Sequence, residues 1–94
     1  MLYLISYDLK AKPEAEYVNL GAYLRNAGAV KILYSEWLLV SKLGAVALRD
    51  AITQHIAPND KLWVMQLTST AAWTGVLDGG PSSSTLKAMF EKAA

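Results

Sequence analysis

Residues 29–42 read AVKILYSEWLLVSK. Val30, Ile32 and Tyr34 alternate with Lys31, Leu33 and Ser35. Trp37, Leu39 and Ser41 then alternate with Leu38 and Val40. Period-two alternation in β-branched, aromatic and leucine side chains predicts two strands. They are joined by a turn near Ser35–Glu36, although no Asn-Gly or Asp-Gly marks it. A hairpin in the middle of a short chain needs neighbours on both sides, and the flanking segments supply them.

Upstream, Pro13 suits a first helical turn, where its missing N–H costs nothing. Glu14 and Glu16 sit near the positive helix end. Tyr17, Leu20, Leu24 and Ala27 fall on one helical face, and Gly28 is a natural stop. The spacing predicts a helix over about 13–27. Before it, LYLISYD (2–8) reads as a strand that is apolar on both faces. Downstream, Leu43, Ala47, Leu48, Ala51, Ile52 and Ile56 return to helical spacing until PND (58–60) breaks it. KLWVMQL (61–67) is a further strand. The order strand, helix, strand, strand, helix, strand is the split βαβ pattern of a ferredoxin-like α+β fold, an antiparallel sheet with both helices on one face. The other face of that sheet is still apolar. A second copy of the sheet is its expected cover, because two-fold dimers are the commonest homo-oligomers.

The tail has a different composition. TAAWTGVL (70–77) reads as a fifth strand or an irregular arm, DGGPSSS (78–84) as a linker, and STLKAMFEKA (84–93) as a short terminal helix that needs packing to persist. The expected division is a domain over 1–72 and a C-terminal arm with its helix over 73–94.

Composition sets outer limits. A chain of 94 residues corresponds to one domain. It has no cysteine, so neither disulfides nor thiolate metal sites support it. Hydrophobic residues make up 53% of the sequence, more than so small an interior readily hides, which again favours assembly. A net charge of +1 does not imply nucleic-acid binding by bulk charge, though a local patch stays open. No apolar run is long enough to span a membrane. No secretory pattern opens the chain, so the expected setting is the cytoplasm.

The chemically informative residue is Asp8, where the first strand ends on a carboxylate. It reads as a turn or cap residue, or as a metal ligand. It shares a strand face with Leu2, Leu4 and Ser6, the face expected to meet the partner. A two-fold axis near the strand end would bring two Asp8 carboxylates together. Two carboxylates with waters and a phosphate oxygen suit a magnesium ion. Such an ion polarises a phosphodiester and acidifies a bound water. Lys10, Lys12, Lys31 and Lys42 are the candidate phosphate contacts, with ordinary solvated surface as the competing reading. Arg25 and Arg49 read as solvated or locally paired. His55 has no readable Ser-His-Asp arrangement around it and reads as a structural or surface residue. Trp37, Trp63 and Trp73 read as packing residues that could alternatively stack bases.

LISYDL (4–9), GAVKILYSEWLL (28–39) and DKLWVMQL (60–67) resemble the CRISPR-associated spacer-acquisition endonuclease family, the small dimeric partner of the CRISPR integrase. They also resemble its relatives, the virulence-associated D-like ribonucleases. The resemblance covers roughly residues 1–72. It implies a ferredoxin-like homodimer that often exchanges a C-terminal strand, here the region around Trp73. It also implies a metal-binding Asp at the end of the first strand, which maps onto Asp8, and it matches Ser35, Glu36 and Trp37 to the family's hairpin segment. The implied activity is metal-dependent cleavage of RNA or DNA with magnesium, and the implied partner is an integrase or an antitoxin. The competing expectations are a non-catalytic dimeric nucleic-acid or protein adaptor and a small-molecule regulatory domain. Against the last, KAKP (10–13) stands where a glycine-rich ligand loop would be.

Overall fold

The computed structural model describes residues 1–10, 17–68 and 70–92. Its elements are β1 (Leu2–Asp8), α1 (Val18–Asn26), β2 (Val30–Leu33), β3 (Glu36–Val40), α2 (Ala45–Thr53), β4 (Lys61–Leu67) and α3 (Ser83–Glu91). The strands form one sheet in the order β2-β3-β1-β4, with every neighbouring pair antiparallel.

The central position of β1 explains its sequence. Alternate side chains leave a strand on opposite faces, so a strand covered on both sides must be apolar at both parities. Tyr3, Ile5 and Tyr7 enter a core with Leu20 and Leu24 of α1, Trp37 and Leu39 of β3, and Leu48 and Ile52 of α2. The buried indole N–H of Trp37 donates to the Tyr7 hydroxyl at 2.9 Å, which satisfies the indole inside the core. The Tyr3 hydroxyl donates to the Leu43 carbonyl at 2.7 Å and ties the start of β1 to the loop before α2.

Leu2 belongs to a second core on the opposite face, with Leu38 of β3 and Leu86 and Met89 of α3. Val76 and Phe90 pack against this core from the tail, and Leu4, Val40 and Leu67 from the sheet. The sheet therefore lies between α1 and α2 on one side and the chain's own tail on the other. Sequence reasoning expects a second copy over this face, but the tail covers the half around Leu2, Leu38 and Leu67. The reason is local. Leu77, Asp78, Gly79 and Gly80 form a turn closed by the Gly80 N–H donating to the Leu77 carbonyl at 2.8 Å. Gly79 supplies the positive φ, +77°, that the third turn position demands. This turn sends the chain back over the sheet, where the Ser82 hydroxyl caps α3 by accepting from the Thr85 N–H at 3.2 Å.

Residues 70–77 form an irregular arm rather than a fifth strand. It is tied to the β2 edge by the Leu77 N–H donating to the Ile32 carbonyl at 2.7 Å. Trp73 stacks on Phe90 with ring centroids 5.9 Å apart. Among the described residues no helix is long and apolar enough to cross a membrane.

Two boundaries differ from the sequence pattern. The first helix begins at Val18, with Tyr17 already non-helical, and the expected first turn at Pro13, Glu14 and Glu16 lies outside the described residues. The second begins at Ala45, not Leu43, because the stretch from Ser41 to Leu43 is held by bonds to the start of β1. The C-terminal end of α1 matches its sequence signature. Gly28 takes φ +92°, its N–H donates to the Arg25 carbonyl and the Ala29 N–H donates to the Leu24 carbonyl. This is the paired-bond helix stop that a glycine at this position allows.

Candidate functional site at the Asp8 end of the sheet

Asp8 is the last residue of β1 and is exposed. The strand register fixes its neighbours. Lys61 of β4 lies directly opposite Asp8. Two residues back, Ser6 is flanked by Glu36 of β3 and Trp63 of β4. Directly opposed residues share a sheet face, so Asp8, Ser6, Glu36, Lys61 and Trp63 all project on the tail-side face. Opposed Cβ atoms in an antiparallel pair are about 5 Å apart and diagonal ones about 7–8 Å. Asp8 therefore has one cation directly across the strand and one carboxylate on the diagonal.

The tail stops short of this end. Trp63 is 67% exposed, Met65 42% and Leu33 47%. Trp63 and Met65 thus form an uncovered apolar strip beside the carboxylate, separated from Leu33 on the β2 edge by Ser6 and Glu36.

The site is held by a residue that the sequence reading passed over. Asp60, half-buried before β4, accepts the Lys10 N–H on Oδ1 and the Ala57 N–H on Oδ2, each at 2.7 Å. It thereby ties the chain just after Asp8 to the loop just before Lys61. Burial alone would raise its pKa. The Lys10 and Ala57 N–H groups, a hydrogen bond from Tyr17 and the Lys10 charge outweigh that and hold the carboxyl below the ordinary aspartate value. PND in the sequence signals a turn, but a turn signal does not say which distant backbone group the Asp will bind.

The four predicted lysines do not converge. Lys10 adjoins Asp8. Lys12 lies outside the described residues. Lys31 is paired with Trp37, a helix-side core residue, so it leaves the sheet on the face opposite to Asp8. Its ammonium lies 5.3 Å from the Tyr34 ring centre and 5.7 Å from that of Trp37. Lys42 follows Ser41, whose N–H donates to the Met1 carbonyl. That puts it at the far end of β1, about 20 Å of strand away from Asp8. His55 packs against Tyr23, ring centres 5.0 Å apart, and Arg49 pairs with Asp50 at 2.9 Å.

Among the described residues no group of three or more His, Asp or Glu side chains gathers to hold a metal ion. A single chain offers Asp8 with Glu36 on the diagonal. Magnesium is commonly held by one or two carboxylates, with waters and substrate phosphate completing its shell, and this sparse donor set fits that habit.

No family model matches the chain, and no curated protein or solved structure matches it either.

Proposed function

We propose that the chain is a ferredoxin-like, magnesium-dependent phosphodiesterase acting on RNA or DNA in the cytoplasm. In this reading it works as a two-fold dimer to which each copy contributes Asp8. The βαββαβ order and the position of β1 between β3 and β4 support the fold name. One observation carries the functional reading: the exposed Asp8 carboxylate and the most exposed tryptophan of the chain share the part of the sheet face that the tail leaves open. A second copy seated on Trp63 and Met65 buries that strip and brings two Asp8 side chains to the axis.

Each residue then has a role. Asp8 is the ligand, and Asp60 positions it by fixing the backbone that follows. Lys61 offers its charge to a phosphate, and Lys10 extends that contact. A bound magnesium ion supplies phosphate polarisation and an acidified water.

The test has two measurements. Sedimentation should give a dimer for the wild type and a folded monomer for Trp63→Arg. Labelled RNA and duplex DNA should be cleaved with magnesium and not with EDTA, and Asp8→Asn should abolish cleavage while leaving the dimer intact. A monomeric wild type at assay concentration, or magnesium-dependent cleavage untouched by Asp8→Asn, would defeat the proposal. Lys61 favours a second reading, because it already supplies a counter-charge across from Asp8. In that reading the dimer is a non-catalytic nucleic-acid adaptor. It predicts salt-sensitive binding unchanged by Asp8→Asn and no cleavage at all.

A further inference from the structure

On the helix side of the β2 edge, a cleft of about 320 Å³ is bounded by Tyr17, Gly21, Arg25, Lys31, Tyr34 and Trp37. It adjoins a second of about 450 Å³, which shares Arg25, Lys31 and Trp37 and extends to Asp78, Gly79 and Gly80 in the turn of the arm. Both volumes fall in the range of small-molecule sites. We propose that this double cleft binds consecutive nucleotide units of a single-stranded nucleic acid, with a phosphate held by Arg25 and Lys31 and a base stacked on Tyr34.

Three features support that occupant. First, the two cations are placed rather than merely present. Lys31 lies over two aromatic rings. The Arg25 guanidinium lies back on Gly21, where an added Cβ would come within 3.0 Å of Nη2. The absence of a side chain at 21 gives the guanidinium its seat on the cleft wall. Second, Tyr34 is 62% exposed at the centre of the β2–β3 turn. Such a position favours glycine, asparagine, aspartate or serine, so an exposed aromatic ring is unusual there, and this one lies under the Lys31 ammonium. A ring beside two cations suits base stacking with adjacent phosphate contacts. Third, the shape selects a single strand. Bases in a duplex are stacked on each other and unavailable to Tyr34, whereas an unpaired base can be splayed onto it. Two compartments sharing one pair of cations suit successive units better than a lone nucleotide. Among the described residues that border the two compartments, Asp78 is the one acidic side chain, and it lies in the compartment by the arm.

The cleft also lies near the Asp8 end. The Tyr7 N–H donates to the Ser35 carbonyl at 3.2 Å, which fixes the Tyr34–Ser35 turn against the end of β1. A strand leaving the cleft past Tyr34 turns around the sheet end toward Asp8. This last step rests on the phosphodiesterase reading, but binding in the cleft does not.

The experiment separates the two. Fluorescence anisotropy of labelled oligo(U) is measured on Asp8→Asn protein in EDTA, so cleavage plays no part. The strand should bind more tightly than UMP or a duplex of equal length. Tyr34→Ala should weaken binding about fivefold to 100-fold, the loss of one stacked base, and Tyr34→Phe should restore it. Arg25→Gln should reduce the slope of log affinity against log salt by about 0.7, the loss of one phosphate contact on a single strand. Both side chains are exposed, and circular dichroism checks that the variants fold. The proposal is overturned if oligo(U) does not bind, if UMP competes with equal affinity, or if Tyr34→Ala and Arg25→Gln both bind like the parent. Retained binding with no cleavage in the wild type would sink only the phosphodiesterase reading.

Discussion

Replacing Asp60 by Asn changes one atom and tests what holds the Asp8 end together. The carboxylate accepts one backbone N–H on each oxygen, from Lys10 and from Ala57. An amide keeps one acceptor oxygen and presents an NH₂ donor to the other N–H, so one of the two bonds must be lost. Hydrogen bonds to charged groups contribute about 1.5–3 kcal/mol each. Asp60 is half-buried, so the lower end applies, and the expected loss is about 1.5–2 kcal/mol. For a domain of this size that corresponds to a fall in Tm of roughly 6–16 °C. The pH dependence gives an independent reading. The folded-state pKa of Asp60 lies below its ordinary value of 3.8. In acid the unfolded chain therefore takes up the proton first. The stabilisation is complete well above the unfolded value and is lost as pH falls through the folded one. Urea titrations of wild type and Asp60→Asn, followed by circular dichroism, should differ most at neutral pH and converge in acid below both values. Equal midpoints at pH 7, or parallel pH profiles through the acid range, would refute the assignment of Asp60 as the latch.

Two further outcomes follow from the glycines. At Gly80 an added Cβ would lie 2.7 Å from the Leu77 carbonyl oxygen and 3.2 Å from that of Lys31, both backbone atoms. Gly80→Ala should cost about 1–3 kcal/mol and speed hydrogen exchange at the Leu77 amide, which bonds the arm to β2. At Gly21 an added Cβ meets the seated end of Arg25 rather than backbone, so Gly21→Ala should raise stability by about 0.5–1 kcal/mol in thermal melts while pushing the guanidinium off its seat and weakening oligo(U) binding.

Much of the fold is legible from side-chain spacing because the forces that set it are local. The alternation in residues 29–42 marks the hairpin, although the turn itself falls at Tyr34–Ser35. Neither turn residue takes the positive φ that common two-residue hairpins need. The ladder instead shifts register between Lys31 and Leu33, and such an irregularity accommodates local twist. Gly28 announced the end of α1 and the serines announced α3, since each acts within one helical turn. Of the candidate site, Asp8 and Lys10 were legible in the sequence. The Asp60 latch joins residues fifty positions apart, and the Arg25 cleft depends on α1 lying beside β2. Neither arrangement leaves a periodic trace in the chain.

The sequence by itself determined that both faces of β1 are covered, because a strand apolar at both parities cannot leave one side to water. It could not say what does the covering, since any apolar surface satisfies that demand equally well. Only the tertiary structure decided that the chain's own tail takes half of the second face while the end bearing Asp8 and Trp63 stays open. That outcome follows from where the turn at Gly79 and Gly80 aims α3, a direction set by packing in three dimensions.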